Sequence, residues 1–273
     1  MSKEAMSTGM RDVDRTTDPG FFVHYLDAAS AQEQTQVMKR RSFQLLNVQP
    51  GAQLLDVGCG PGDDARALAQ LAGSTGRVVG IDTSTTMIAE ARQRAGGSDL
   101  SVQYVVGDAH HLDFADNSFD GCRAERVFQH VENPRQVLQE MVRVTRPGGR
   151  IVLLDPDFET LVIDTQDRAL TRKILNFRCD HIVRNGWIGR QLLALLRATQ
   201  LTEVTVAAET WQSTDYTIAF QLLRLREHTE RAREAGAVSE TEAESWLGEL
   251  EEAGKTERFF AAMTFFFVSG QKP

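Results

Sequence analysis

Five short apolar runs at residues 53–57, 77–82, 102–107, 119–124 and 150–155 alternate with helical stretches at 65–72, 85–95 and 134–144, and this alternation leaves few folds open. Parallel strands need long crossover connections, and helices supply them, so the pattern predicts an α/β, doubly wound, mostly parallel sheet covered on both faces. The punctuation agrees. Asn133 is placed to cap the helix at 134–144, Pro134 suits its first turn, and Arg146-Pro147-Gly148-Gly149 stops the chain before the next run. Two later apolar runs, 202–208 and 261–269, bring the expected sheet to seven strands.

An amphipathic helix over 21–46 precedes the first strand, and residues 1–20 read as a flexible lead to a single domain over 21–273. Beyond residue 155 the rhythm breaks. An extra helix over 165–182, a regular one at 190–199 and a long helical stretch over 214–250 are expected there. In a parallel sheet the binding crevice lies at the carboxyl ends of the strands, so the segments at about 156–188 and 211–258 are expected to form helical cap insertions above it.

The first strand runs straight into Asp56-Val57-Gly58-Cys59-Gly60-Pro61-Gly62 and then a helix. Three glycines in such a turn allow sharp bending and let a ligand lie against backbone N–H groups and a helix N-terminus. A dinucleotide site reads G-x-G-x-x-G, whereas the spacing here is G-x-G-x-G with an acid two residues ahead. Asp82 ends the second strand and is placed to accept hydrogen bonds from ribose hydroxyls, a feature that suits NAD equally well.

Four blocks taken together resemble the class I S-adenosylmethionine (SAM) dependent methyltransferases, in particular the small-molecule group, methyltransferase type 11, that includes enzymes of ubiquinone and menaquinone biosynthesis. They are LLDVGCGPG (Leu54 to Gly62), VVGIDTSTTMIAEA (Val78 to Ala91), VVGDAHHLDFADNSFD (Val105 to Asp120) and RVTRPGGRIVLLD (Arg143 to Asp155). The resemblance implies a Rossmann-like sheet whose last strand is antiparallel beside the fifth. It implies that Gly58, Cys59, Gly60 and Gly62 lie against the methionine and ribose parts of SAM, with Asp56 organising the loop. Asp82 would take the ribose hydroxyls, Thr83 and Met87 would border the adenine, and Asp108 and Ala109 would meet its amino group and ring. Glu125 and Arg126 match positions at the methionine end, though they depart from the small or apolar residues usual there. By looser analogy Tyr25 closes over the cofactor.

Methyl transfer requires that an acceptor be held near the donor methyl with water excluded. A hydroxyl acceptor also needs a base, for which His130 is the first candidate and His181 the second. Phe22, Asp155, Phe158, Arg184, Trp187 and Tyr216 are candidates for contact with a small-molecule acceptor, possible in secondary metabolism, whose reacting atom (O, N or C) the sequence leaves open. Two alternatives stand beside this reading: an RNA methyltransferase, and a SAM-binding protein without transferase activity. With 30 basic against 38 acidic residues the net charge is −8, which disfavours nucleic acid. His110-His111 near Asp113 and Asp116 reads as a solvated turn and not a metal site. Three scattered cysteines fit neither a disulfide framework nor zinc and suit a reducing cytoplasm, and nowhere do 18 apolar residues run together as a membrane span would need. The oligomeric state stays open, a homodimer being one option.

Overall fold

The computed structural model describes residue 9 and residues 12–273. β1 (Gln53–Val57) pairs in parallel with β2 (Arg77–Asp82) on one side and β4 (Phe119–Glu125) on the other. β3 (Val102–Val106) flanks β2, and β5 (Thr145–Pro156) flanks β4, both in parallel. β8 (Ala261–Gln271) runs antiparallel beside β5, and β6 (Val162–Ile163) and β7 (Thr202–Ser213) pair antiparallel with β8. The sheet thus has eight strands where seven were expected, the addition being the two-residue β6. The chain leaves β1 towards β2 and returns on the other side as β4, so the gap between the carboxyl ends of β1 and β4 is the switch point where α/β sheets bind ligands.

Both faces of the sheet are buried, as helical crossovers demand. One face packs Leu54, Val78 and Val152 against Leu68 and Ala69 of α3 (Asp63–Ala72) and Ile88 of α4 (Thr85–Ala95). The other packs Leu55, Val79 and Ile151 against Leu138 and Met141 of α5 (Pro134–Val144) and Leu192 of α7 (Ile188–Arg197). A third cluster joins the helices that follow β5 and β7: α6 (Arg168–Phe177), α8 (Tyr216–Leu222), α9 (Leu225–Glu234) and α10 (Glu240–Lys255) meet around Ile174, Leu223 and Trp246.

Three helical expectations need redrawing. The leading helix is two, α1 (Pro19–Ser30) and α2 (Glu33–Leu46), because Gln32 is extended between them. The long stretch over 214–250 is three helices, broken where Arg224 takes left-handed backbone (φ 50°) and where Gly236 does the same (φ 72°). The segment 165–182 is α6 followed by one π-helical turn (Arg178–Ile182), an irregularity frequent at functional sites. The expected flexible lead falls, for residues 1–8, 10 and 11, outside the described residues. From residue 12 the chain is docked: Val13 is buried against Phe22 and Met87, and Asp14 accepts from Ser84 Oγ (2.6 Å), Thr85 N (2.7 Å) and Thr86 N (3.2 Å) at the start of α4. Among the described residues no helix is long and apolar enough to cross a membrane.

Candidate active site

The turn after β1 is built on left-handed glycines: Gly58 (φ 68°), Gly60 (φ 51°) and Gly62 (φ 80°). A Cβ on Gly58 would stand 2.3 Å from Val127 Cγ2, so the close approach of β1 to the chain after β4 requires glycine there. Gly58 N and Cys59 N donate to Ile81 O (2.7 and 3.0 Å), and Gly60 N donates to Asp82 Oδ2 (3.0 Å). Asp82 Oδ1 accepts from Ser84 N (2.9 Å), so one carboxylate ties the glycine turn to the end of β2. Burial raises its pKa against the pull of those backbone donors.

The turn opens on a cavity of about 570 Å³ that reaches from the strand ends to the helices after β5 and β7. Among residues singled out from the sequence, Tyr25, Asp56, Gly58, Cys59, Gly60, Asp82, Thr83, Met87, Asp108, Ala109, Glu125, Arg126, His130, Phe158 and Arg184 line it. The others stand elsewhere. Gly62 is the N-cap of α3, and Tyr104 Oη donates to its carbonyl at 3.0 Å. Phe22 is buried with Val13, Val23 and Met87. Asp155 is buried behind the wall and accepts from Phe128 N (3.2 Å) and Gln129 N (3.1 Å), which makes it a brace for the turn after β4 instead of an acceptor contact; burial pushes its pKa up to about 8. His181 is exposed and packs on Phe177, ring centroids 4.9 Å apart. Trp187 is 44% exposed with Arg190 over its ring, and Tyr216 packs on Phe220 and Phe259 within the helical cluster.

Cys59 is buried, and burial together with Asp56 and Asp82 holds its thiol pKa well above normal, so it fills space and does not attack. His110 Nε2 accepts from Asn133 N (3.1 Å), which places the ring proton on Nδ1, 2.6 Å from Asp108 Oδ1. That ring is therefore engaged at both nitrogens.

The sequence reading overlooked the densest charge cluster of the site. Arg123 lies in the middle of β4 at 1% exposure, and the register sets it directly beside Asp56 on β1. Its Nε donates to Ser42 Oγ (2.8 Å), Nη1 to Asp56 Oδ1 (3.1 Å), and Nη2 pairs with Asp64 Oδ2 (3.0 Å) and with Glu125. Lys39 Nζ adds contacts to Asp64 (2.6 Å) and Glu125 (3.8 Å), and Arg126 Nε lies 3.4 Å from Glu125. Asp64 is held below the ordinary carboxylate range because Arg123 and Lys39 outweigh the effect of burial. Asp56 is shifted upward by burial, and its Oδ2, buried at the cavity wall, has no hydrogen-bond partner. The one signal in the sequence was an arginine inside the strand run at 119–124. Arg126, next along, has left-handed backbone (φ 54°), a strained conformation of the kind that collects at functional sites.

These features fit SAM, whose sulfonium and ammonium are cationic. The cavity end at the glycine turn is lined by Asp56, Asp63, Asp64, Asp82 and Asp108 alongside Lys39, Arg123 and Arg126, and Asp56 Oδ2 is an unfilled acceptor. Residues 55–153 match the family model described as methyltransferase domain. The chain is 40% identical, over 249 residues, to an uncharacterized 37.1 kDa protein in transposon TN4556 of Streptomyces fradiae, covering 91% of this chain and 71% of that one. It is 36% identical over 125 residues to the demethylmenaquinone methyltransferase of Bacillus cereus, covering 45% of this chain and 53% of that enzyme, so it spans about half the length of that relative. The solved structure of Haemonchus contortus phosphoethanolamine N-methyltransferase 2 in complex with SAM superposes with a TM-score of 0.60 at 21% identity, over 97% of this chain and 60% of that one, a likeness of fold. On the glycine turn, the strand order and these matches, the chain belongs to the class I S-adenosylmethionine-dependent methyltransferases.

Proposed function

We propose that the protein moves a methyl group from SAM to an O, N or C atom of a small molecule held between the glycine turn and the helical cap, a reaction of the EC 2.1.1 class. The observation that carries this reading is the single cavity, about 570 Å³, that the glycine turn and the cap residues Phe158, Arg178 and Leu223 line together. When bound, SAM supplies an electrophilic methyl on a sulfonium. The chain's own work is to bind, orient and exclude water. In this reading the glycine turn and the free oxygen of Asp56 receive the methionine end, and Asp82, Thr83 and Met87 receive the nucleoside. Tyr25 Oη donates to Leu222 O (2.9 Å), which latches α1 to the end of α8 over the cavity. His130 also lines the cavity, and in this reading it takes the proton from a hydroxyl acceptor. The cap segments, 156–188 and 211–258, carry acceptor specificity in this reading. A small acceptor in the cytoplasm, and not nucleic acid, is part of the same proposal: it is supported by the net charge of −8 and by three cysteines that are all free and buried.

Calorimetry with SAM, its demethylated product S-adenosylhomocysteine and NAD tests the cofactor. Micromolar binding of the first two is expected, and tight NAD binding with none for SAM would refute the assignment. Mass spectrometry of a pocket ligand carried through purification would then identify the acceptor class.

A further inference from the structure

The cap closes its end of the cavity with basic side chains whose buried nitrogens are left without partners. Arg178, on the π-helical turn after α6, is 7% exposed and lines the cavity, and its Nε and Nη1 have no hydrogen-bond partner. Among the described residues it forms no ion pair; its guanidinium lies over the Phe158 ring, 4.7 Å from the centroid. His228 of α9, also lining the cavity at 7% exposure, has an unpartnered Nδ1. Arg224, between α8 and α9, has a buried and unpartnered Nε, while its far end pairs with Glu227. Burial, helped by Arg224, lowers the Arg178 pKa to about 10, which leaves it cationic at neutral pH. His228 is pushed well below its ordinary value by burial and by the adjacent Arg178 and Arg224. Two guanidinium groups that repel each other, one of them buried without a carboxylate, are costly to keep unless a ligand supplies the opposite charge.

We infer that the cap end of the cavity is an anion subsite, in which Arg178, with Arg224 and His228 beside it, receives a carboxylate or phosphate group of the methyl acceptor. A guanidinium fork suits either anion. An anionic group seated under the cap, away from the glycine turn that receives the cofactor, then sets the acceptor's direction. The inference rests on the methyl-transfer reading above.

The test titrates the protein saturated with S-adenosylhomocysteine, by calorimetry, with inorganic phosphate, pyrophosphate and benzoate, with benzyl alcohol as the neutral control. At least one anion binds in the millimolar range or tighter and raises the melting temperature, and benzyl alcohol binds at least about tenfold more weakly than benzoate. Preference for the phosphates marks a phosphorylated acceptor, and preference for benzoate a carboxylic acid. Arg178→Gln weakens the favoured anion by about tenfold or more, the scale of one lost charge-assisted contact, and leaves S-adenosylhomocysteine affinity within about twofold. No anion binding to the wild type while S-adenosylhomocysteine binds, or an unchanged anion affinity in Arg178→Gln, overturns the subsite. Failure of S-adenosylhomocysteine to bind the wild type refutes the methyl-transfer reading instead, and the same anion titration on the protein alone then decides the subsite.

Discussion

Replacing Arg123 by methionine should cost more stability than any other single change at the site. The wild-type cluster sets three carboxylates, Asp56, Asp64 and Glu125, against three cations, Lys39, Arg123 and Arg126, and Arg123 alone touches all three acids. Methionine fills similar volume over the Phe43 ring, on which the guanidinium now lies at 5.0 Å, but leaves one negative charge uncompensated in a site where Arg123 is 1% exposed. Removing one partner of a buried ion pair costs about 3–5 kcal/mol, because the remaining charge keeps its desolvation penalty. At roughly 2–4 °C per kcal/mol for a chain of this size, the melting temperature falls by about 6–20 °C. Arg123→Lys keeps the charge and loses the fork, so about 1–3 kcal/mol is expected. Urea denaturation at two pH values separates charge from packing. In the wild type Asp64 is held low by Arg123 and Lys39; in the variant burial prevails and its folded pKa moves above its unfolded one. The folded variant then binds more protons than the unfolded chain, so its stability is lost as pH rises through that raised value. The deficit of Arg123→Met should therefore be smaller near about pH 5 than near about pH 8. A deficit below about 1 kcal/mol, or one independent of pH, would show that the three carboxylates are neutralised without Arg123 and would refute the reasoning.

Asp82→Ala should weaken S-adenosylhomocysteine binding by about 1–3 kcal/mol in calorimetry, since it removes both the proposed ribose acceptor and the tie to Gly60 N. Gly58→Ala places a methyl 2.3 Å from Val127 Cγ2 at φ 68°; a drop of about tenfold or more in S-adenosylhomocysteine affinity is expected, and an unchanged value would mean that the turn is not the cofactor cradle. His228 is buried with its pKa well below the ordinary 6.5. The unfolded chain takes up a proton there that the folded one refuses, so this residue's contribution is present above pH 6.5 and lost as pH falls towards the depressed folded value. His228→Gln should flatten the acid side of the stability curve by up to about 1.4 kcal/mol per pH unit, and equal slopes for the two proteins would count against a buried neutral histidine.

Local periodicity and turn chemistry were enough to read the parallel strands, the glycine turn and Asp82, because each is decided within a few residues. Apolar runs of five or six residues between helical stretches admit little but crossover-connected strands, and G-x-G-x-G needs no partner to impose its bend. Breaks inside the helical segments were less legible. The capping box of Ser239 and Glu242 and the glycine at 236 were available as stop signals, but the left-handed Arg224 and the extended Gln32 follow no local rule and are held by packing. What the tertiary structure alone decided is which charges meet. Lys39, Asp64 and Arg123 lie on α2, α3 and β4, far apart in the chain, and become one cluster only because β1 and β4 pair with Asp56 opposite Arg123. The same holds under the cap. His181 and Trp187 were candidates for the pocket, and helix packing leaves them at the surface while it turns Arg178 and His228, which nothing in the sequence singled out, into the cavity. Periodicity states which face of a helix is apolar, whereas the angle at which that helix crosses its neighbours, set by side-chain interlocking over distant residues, states which polar group is drawn inside.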